Sequence, residues 1–180
     1  MKVSKTQVDD SRRAILAAAG RLFRQRGFDA VSVAEVMAAA GLTHGAFYGY
    51  FRSKDELVAA VLADLLATPR PTGKWAQSAA RYLSSGHRDD CAGGCPVAAL
   101  AGDAARKSPQ ARATMATGIE RMIASQTDEA GRVAAVGRVA AMVGAIILSR
   151  AIGEGELSDE VIAATRAWIG ADEEAQTLGE

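Results

Sequence analysis

Between Ser32 and Lys54 the chain reads SVAEVMAAAGLTHGAFYGYFRSK, two short helical patterns separated by one glycine and followed by a third helix start. This is the layout of a helix-turn-helix, which sets its second helix against a DNA groove. Ser32 with Glu35 forms a capping box that opens the first helix, and Val33, Val36, Met37 and Ala40 share one face at helical spacing. Gly41 permits the left-handed turn, Leu42 plugs the corner, and Thr43 stands where an N-cap is needed. The second helix is expected from His44 to about Phe51. Ala46, Phe47 and Phe51 are its anchors, with Thr43, His44, Gly45, Tyr48 and Tyr50 facing solvent or DNA. Ser53 with Glu56 is a second capping box, opening a further helix at Lys54.

These segments resemble the TetR-type bacterial transcriptional repressors from about Asp9 to Thr68. RRAILAAAGRLFRQRGFDAVSV is similar to the family's first helix, with Ile15, Leu16, Ala19, Leu22 and Phe23 on one face and Gly27 with Phe28 closing it. FYGYF and SKDEL match the family's next segments. The resemblance implies an all-α chain: an N-terminal tail over 1–8, a DNA-binding domain over 9–68 with its motif at 32–51, and a C-terminal ligand-binding and dimerisation domain over 69–180. It also implies that Ser32, Thr43, His44, Gly45, Tyr48, Tyr50 and Lys54 form the DNA-facing set, with Lys54 on a phosphate. Gly49 departs from the pattern, because many members carry a longer polar or basic side chain there.

The residue types suit that role chemically. Small residues at the start of a reading helix let its N-terminus and free N–H groups approach phosphate. Tyrosine hydroxyls and Lys54 bond phosphate oxygens, while His44 or Thr43 can meet a base edge. Net charge is zero, yet residues 1–60 carry nine Lys/Arg against six Asp/Glu, and the remainder twelve against fifteen. The positive excess lies on the DNA-reading half. An architectural DNA binder without an effector would be more basic.

Alanine-rich, proline-poor and low in aromatics, the whole chain reads as helical. After Lys54 a connecting helix bears Leu57, Val58, Val61, Leu62, Leu65 and Leu66, and Thr68, Pro69, Arg70 and Pro71 stop it. A short helix from about Lys74 to Leu83 precedes SSGHRDDCAGG, which reads as a mobile loop. Cys95 and Pro96 open a helix to about Arg106, and Ser108 and Pro109 another to about Ala124. From about Asp128 to Ile152 the face with Val136, Val139, Val143, Ile146 and Ile147 is too apolar to leave in water, while Gly137, Ala140, Ala141 and Gly144 allow close approach. Ser158, Asp159 and Glu160 cap a last helix from Val161 to about Ile169, bearing Ile162 and Trp168. That pair of helices is expected to form a homodimer on two-fold operator DNA, with an intramolecular core as the alternative.

Met1 to Asp10 is polar and charged, so no secretory signal is expected and the cytoplasm is the expected compartment. The longest apolar run, Val139 to Ser149, lies between Arg138 and Arg150 and is short of the roughly 20 residues that cross a bilayer, so no membrane partner is expected. No catalytic constellation is legible: histidine occurs only at His44 and His87, and no phosphate-binding glycine loop follows a strand. No enzyme, cofactor or metal is expected. His87, Cys91 and Cys95 lack a fourth ligand and a common face. Cys95 reads either as a small buried residue or as a thiol sensor at a helix start with Cys91 as resolving partner. A small effector would sit between the C-terminal helices among Trp75, Tyr82, Cys95, Leu100, Met115, Ile119, Met122 and Met142.

Overall fold

Gly27 sets the first corner of the chain. The computed structural model, which describes residues 5–67 and 75–171, carries helix α1 from Lys5 to Arg26 and turns at Gly27 with φ 80°. The expected tail therefore gives way to helix from Lys5 onward. Helix α2, Val33–Ala39, opens on the Ser32–Glu35 capping box with both reciprocal bonds formed, and Gly41 turns the chain at φ 72°.

The next element departs from expectation. His44–Gly49 is a 3-10 helix, and the Thr43 side chain makes no capping bond although Thr43 occupies the N-cap position. Two glycines in six residues weaken the α form, and i→i+3 bonds such as Ala46 N–H to Thr43 O (3.0 Å) and Tyr50 N–H to Phe47 O (2.9 Å) take over. Helix α3, Lys54–Ala67, begins on Ser53, whose Oγ accepts the Glu56 N–H at 3.1 Å. The Glu56 carboxylate accepts from Arg52 N–H at 2.7 Å rather than from Ser53, so the expected box is half formed. The expected stop at Thr68–Pro71 and the start at Lys74 lie outside the described residues.

Six further helices follow among the described residues: α4 Trp75–Tyr82, α5 Ser85–Asp89, α6 Pro96–Lys107, α7 Pro109–Ala124, α8 Gly131–Ile152 and α9 Glu156–Trp168. One apolar cluster joins Phe23, Phe28, Phe47 and Phe51 of the first lobe to Leu62 of α3 and onward to Leu100, Met115 and Met122 of α6 and α7. This cluster draws on residues from both sides of the boundary expected near residue 68. A second cluster holds Trp75, Ala79 and Leu83 against Met142, Ile146 and Ile162.

The segment expected to be a mobile loop contains α5 and is pinned. Arg88, buried, donates to Asp89 (2.7 Å), Ser158 (3.0 Å) and Asp159 (2.6 Å). Arg150 of α8 donates to the carbonyls of Arg88 and His87, both at 2.9 Å. Ser158 likewise differs from its expected capping role. α9 begins earlier, at Glu156 after Gly155, so Ser158 falls inside the helix, fully buried, and donates to Ser149 O at 3.0 Å. The start of α8 also shifts, because Asp128 accepts from Ala130 N–H (3.0 Å) and pairs with Arg138 (2.7 Å) before the helix opens at Gly131.

By length and composition alone α8 is apolar enough to cross a membrane. Within it, however, Arg138 pairs with Asp128 and lies 3.7 Å over the Trp75 ring, and Arg150 straps the α5 segment, so the helix is tied into this fold. Its apolar residues divide between two sides. Val139 and Ile146 face the core and Val143 packs against it, whereas Val133, Val136, Ile147, Leu148 and Ile152 are exposed. The face expected to pair with a partner copy is thus half core and half open within the single chain.

Candidate functional site

Two aromatic rings under the 3-10 helix create the outer surface above them. Phe47 and Phe51 are buried and stacked at 5.8 Å, and the Arg12 guanidinium covers Phe51 at 4.6 Å. With that side anchored, Thr43, His44 and Gly45 are exposed and Tyr48 is 70% exposed. Nothing lies within 4 Å of a Cβ built on Gly45 or Gly49, so this side is open to a close partner. Lys54 is half-buried and its Nζ donates to Asp29 O at 3.4 Å, which lays the ammonium beside the corner after Gly27.

Two further members of the expected DNA-facing set are engaged within the protein. Tyr50 is half-buried and packs on the core cluster. The Ser32 hydroxyl accepts from Glu35 N–H (3.2 Å) and donates to the Glu35 carboxylate (2.8 Å). That carboxylate also accepts Ser32 N–H (2.8 Å) and pairs with Arg26 (2.7 Å), and these bonds hold its pKa down to about 2. The result is a firm strut from α1 to the start of α2.

A cavity of about 410 Å³ lies in the C-terminal lobe, against α1. Of the residues expected to form an effector site, Tyr82, Cys95 and Met142 line it. Trp75, Leu100, Met115 and Met122 are instead buried in the two core clusters, with Ile119 packed against one of them. Sequence reasoning missed most of the wall. Arg24 and Leu65 come from α1 and α3, Ser78 and Arg81 from α4, and Ser125 and Gln126 from the end of α7. Leu65 was legible only as part of an apolar helix face and the others by no periodicity or motif, because only the tertiary fold brings them together.

The loop before α6 forms the remaining wall. His87 Nδ1 lies 2.7 Å from Tyr82 O and its Nε2 accepts the Cys95 N–H at 3.1 Å, so the neutral Nδ1–H imidazole satisfies both contacts. The Gly94 backbone is packed tightly, since a Cβ there would fall 2.7 Å from Arg150 Nη2. Cys95 takes the N-cap position of α6 without a side-chain capping bond and is 6% exposed, while Cys91 is half-buried and donates weakly to Arg88 O. Arg24 Nε donates to Ala92 O at 2.5 Å, joining this loop to α1. Burial pushes the Arg24 guanidinium down from its ordinary value, and nearby Asp90 only partly offsets that.

Residues 15–61 match the family model of bacterial regulatory proteins, tetR family. The HTH-type transcriptional regulator TtgR of Pseudomonas putida is 38% identical over 65 residues, 36% of this chain and 31% of that protein. The HTH-type transcriptional repressor BdcR of Escherichia coli is 38% identical over a stretch covering 43% of this chain and 46% of its own. The chain thus matches less than half the length of either relative. In fold, the reduced form of E. coli NemR superposes with a TM-score of 0.66 at 23% identity, covering 89% of this chain and 95% of its own. AibR in complex with isovaleryl coenzyme A and operator DNA superposes at 0.61 with 17% identity, covering 89% and 96%.

Proposed function

We propose that this chain, which belongs to the tetR family of bacterial regulatory proteins, is a cytoplasmic transcriptional repressor that binds double-stranded operator DNA as a homodimer and is released by a small effector. The observation that carries the reading is the exposed Thr43–Tyr48 surface over a buried Phe47–Phe51 stack, within the very residues that match the family. Phosphate contacts from Tyr48 and Lys54 would fix the register, and His44 and Thr43 would read base edges. Ser32 and Tyr50 contribute by holding the reading element, since both are engaged within the protein. Mobility-shift titration on the DNA upstream of its own gene, against a scrambled duplex of equal length, tests this directly. Equal affinity for both would overturn it.

The dimer is supported by an apolar surface on the last two helices. Val133 (88% exposed), Val136, Ile147, Leu148 and Ile152 of α8 join Leu157 and Trp168 (77%) of α9. Such a surface is costly in water and is what a partner copy would cover. The effector reading is supported by the cavity and by two links from its surroundings, one to α1, Arg24 to Ala92 O, and one to the corner after it, Asp103 to Phe28 N–H. Burial of Cys95 favours its role as a small packed residue over that of a thiol trigger. A non-covalent ligand is therefore the favoured effector, and the cavity supports that reading over an effector-free architectural binder.

A further inference from the structure

Resting on that effector reading, we infer that the cavity takes a small organic acid: a carboxylate, an apolar body, and one hydroxyl or N–H donor set apart from the carboxylate. Gln126 supplies the first argument. It lines the cavity, is only 5% exposed, and its Oε1 has no hydrogen-bond partner among the described residues. Its backbone is fully engaged, the N–H donating to Ile123 O (3.0 Å) and the carbonyl accepting from Arg138 (3.3 Å), so the residue is fixed in place. A buried acceptor left unpaired is costly, and a donor carried by a bound molecule relieves that cost.

The charge of the wall supplies the second. Arg24 and Arg81 bring two guanidinium groups to the cavity, and no Asp or Glu is among the described residues lining it. Arg24 commits its Nε to Ala92 O and leaves both Nη groups without a hydrogen bond to the described residues. Asp90, the nearby acid, acts on Arg24 through its charge but makes no hydrogen bond to it, and its Oδ1 accepts the Gly93 N–H at 2.7 Å. A planar carboxylate is the group a guanidinium fork accepts best. Leu65, Pro96 and Met142 provide apolar wall for the body, and the volume suits a small ligand. Because Arg24 belongs to α1, an acid bound there would pull directly on the helix whose Arg12 covers Phe51 beneath the reading surface.

Calorimetric titration of the full-length protein with 4-hydroxybenzoate, 4-hydroxyphenylacetate and 3-(4-hydroxyphenyl)propanoate, each beside its methyl ester, tests the inference. The series varies the separation between the carboxylate and the hydroxyl. At least one acid is expected to bind about tenfold or more tightly than its ester. Arg24→Gln and the exposed Arg81→Gln should each erase that preference, so a folding defect in one leaves the other to read. Gln126→Leu should weaken the hydroxylated acid relative to its deoxy analogue. Esters binding as well as acids, no acid binding at all, or an acid preference that survives both arginine variants would each overturn the inference. Operator release by the esters alone would overturn it while leaving the effector reading intact. Acid binding that leaves operator affinity unchanged would instead uphold the ligand class and refute the effector reading.

Discussion

Asp103 of α6 reaches the corner after α1 and accepts the Phe28 backbone N–H on Oδ2 at 3.1 Å, while its Oδ1 takes Arg106 at 2.7 Å. One helical turn along, Lys107 pairs with Asp29 (3.0 Å) and Asp55 (3.4 Å). A single C-terminal helix thus grips the corner between α1 and α2 as well as the start of α3. Any shift of α6 is passed to the two elements that flank the reading surface.

That grip makes a quantitative prediction. Asp103→Ala should cost about 1–2 kcal/mol, because a charged acceptor is withdrawn from a partly buried N–H. Gly27→Ala should cost more, since its φ is 80° and its Cβ would lie 2.6 Å from Asp103 Oδ2. In urea denaturation the double variant should be more stable than the sum of the two losses, because removing the carboxylate removes the clash. Strict additivity would show that the two positions do not meet.

Glu35 gives the pH dependence. The pKa of its folded carboxyl is about 2, held there first by Ser32 N–H and then by Arg26 and the Ser32 hydroxyl. A depressed folded value means the bonded, ionised form stabilises the fold fully above the ordinary glutamate value of about 4.3, and that contribution is lost as pH falls from there toward 2. Parent and Glu35→Gln should therefore converge in urea midpoint on acidification. A constant difference between pH values near 6 and near 3 would contradict the assignment.

On DNA, Lys54→Ala should flatten the salt dependence of operator binding by about 0.9 in log–log slope, for one lost phosphate contact. Tyr48→Ala should weaken binding across sequences without changing that slope, because its hydroxyl carries no charge. His44→Ala should alter base preference in a selection from randomised duplexes. If His44→Ala weakens all sequences alike, His44 contacts phosphate and not a base edge.

The proposed dimer is tested at Gly144 of α8. A Cβ there meets nothing within 4 Å in the isolated chain, so Gly144→Glu is compatible with a folded protomer. Against a partner helix it would bury an unpaired charge, which costs several kcal/mol. Sedimentation should show a folded monomer. A dimer of unchanged affinity would move the interface away from this part of α8.

Several local determinants were legible, although the Thr43 cap and the Ser53–Glu56 box, equally local, did not form in full. The Ser32–Glu35 box, the Gly41 turn and the Pro96 and Pro109 helix starts depend on residues within a few positions of one another, and each forms as read. Elements whose stability comes from distant partners were not legible. α5 has no apolar period of its own and is held by Arg88 bonding to Ser158 and Asp159 some 70 residues away. Ser158 looked like a cap because its bond to Ser149 O depends on how α8 and α9 pack. The cavity was the least legible, since Arg24, Arg81 and Gln126 are ordinary surface types until the fold turns them toward one space. Apolar residues such as Leu100 and Met115, favoured for that wall by type, are spent in the core.

The most direct measurement is fluorescence anisotropy of the full-length protein on a labelled duplex from upstream of its own gene, with a scrambled duplex of equal length as competitor. Saturable binding that the scrambled duplex fails to displace, and that Tyr48→Ala combined with Lys54→Ala abolishes while circular dichroism stays unchanged, is the expected result. Equal displacement by both duplexes, or full operator affinity in the folded double variant, would contradict the assignment of the Thr43–Lys54 surface as the DNA reader.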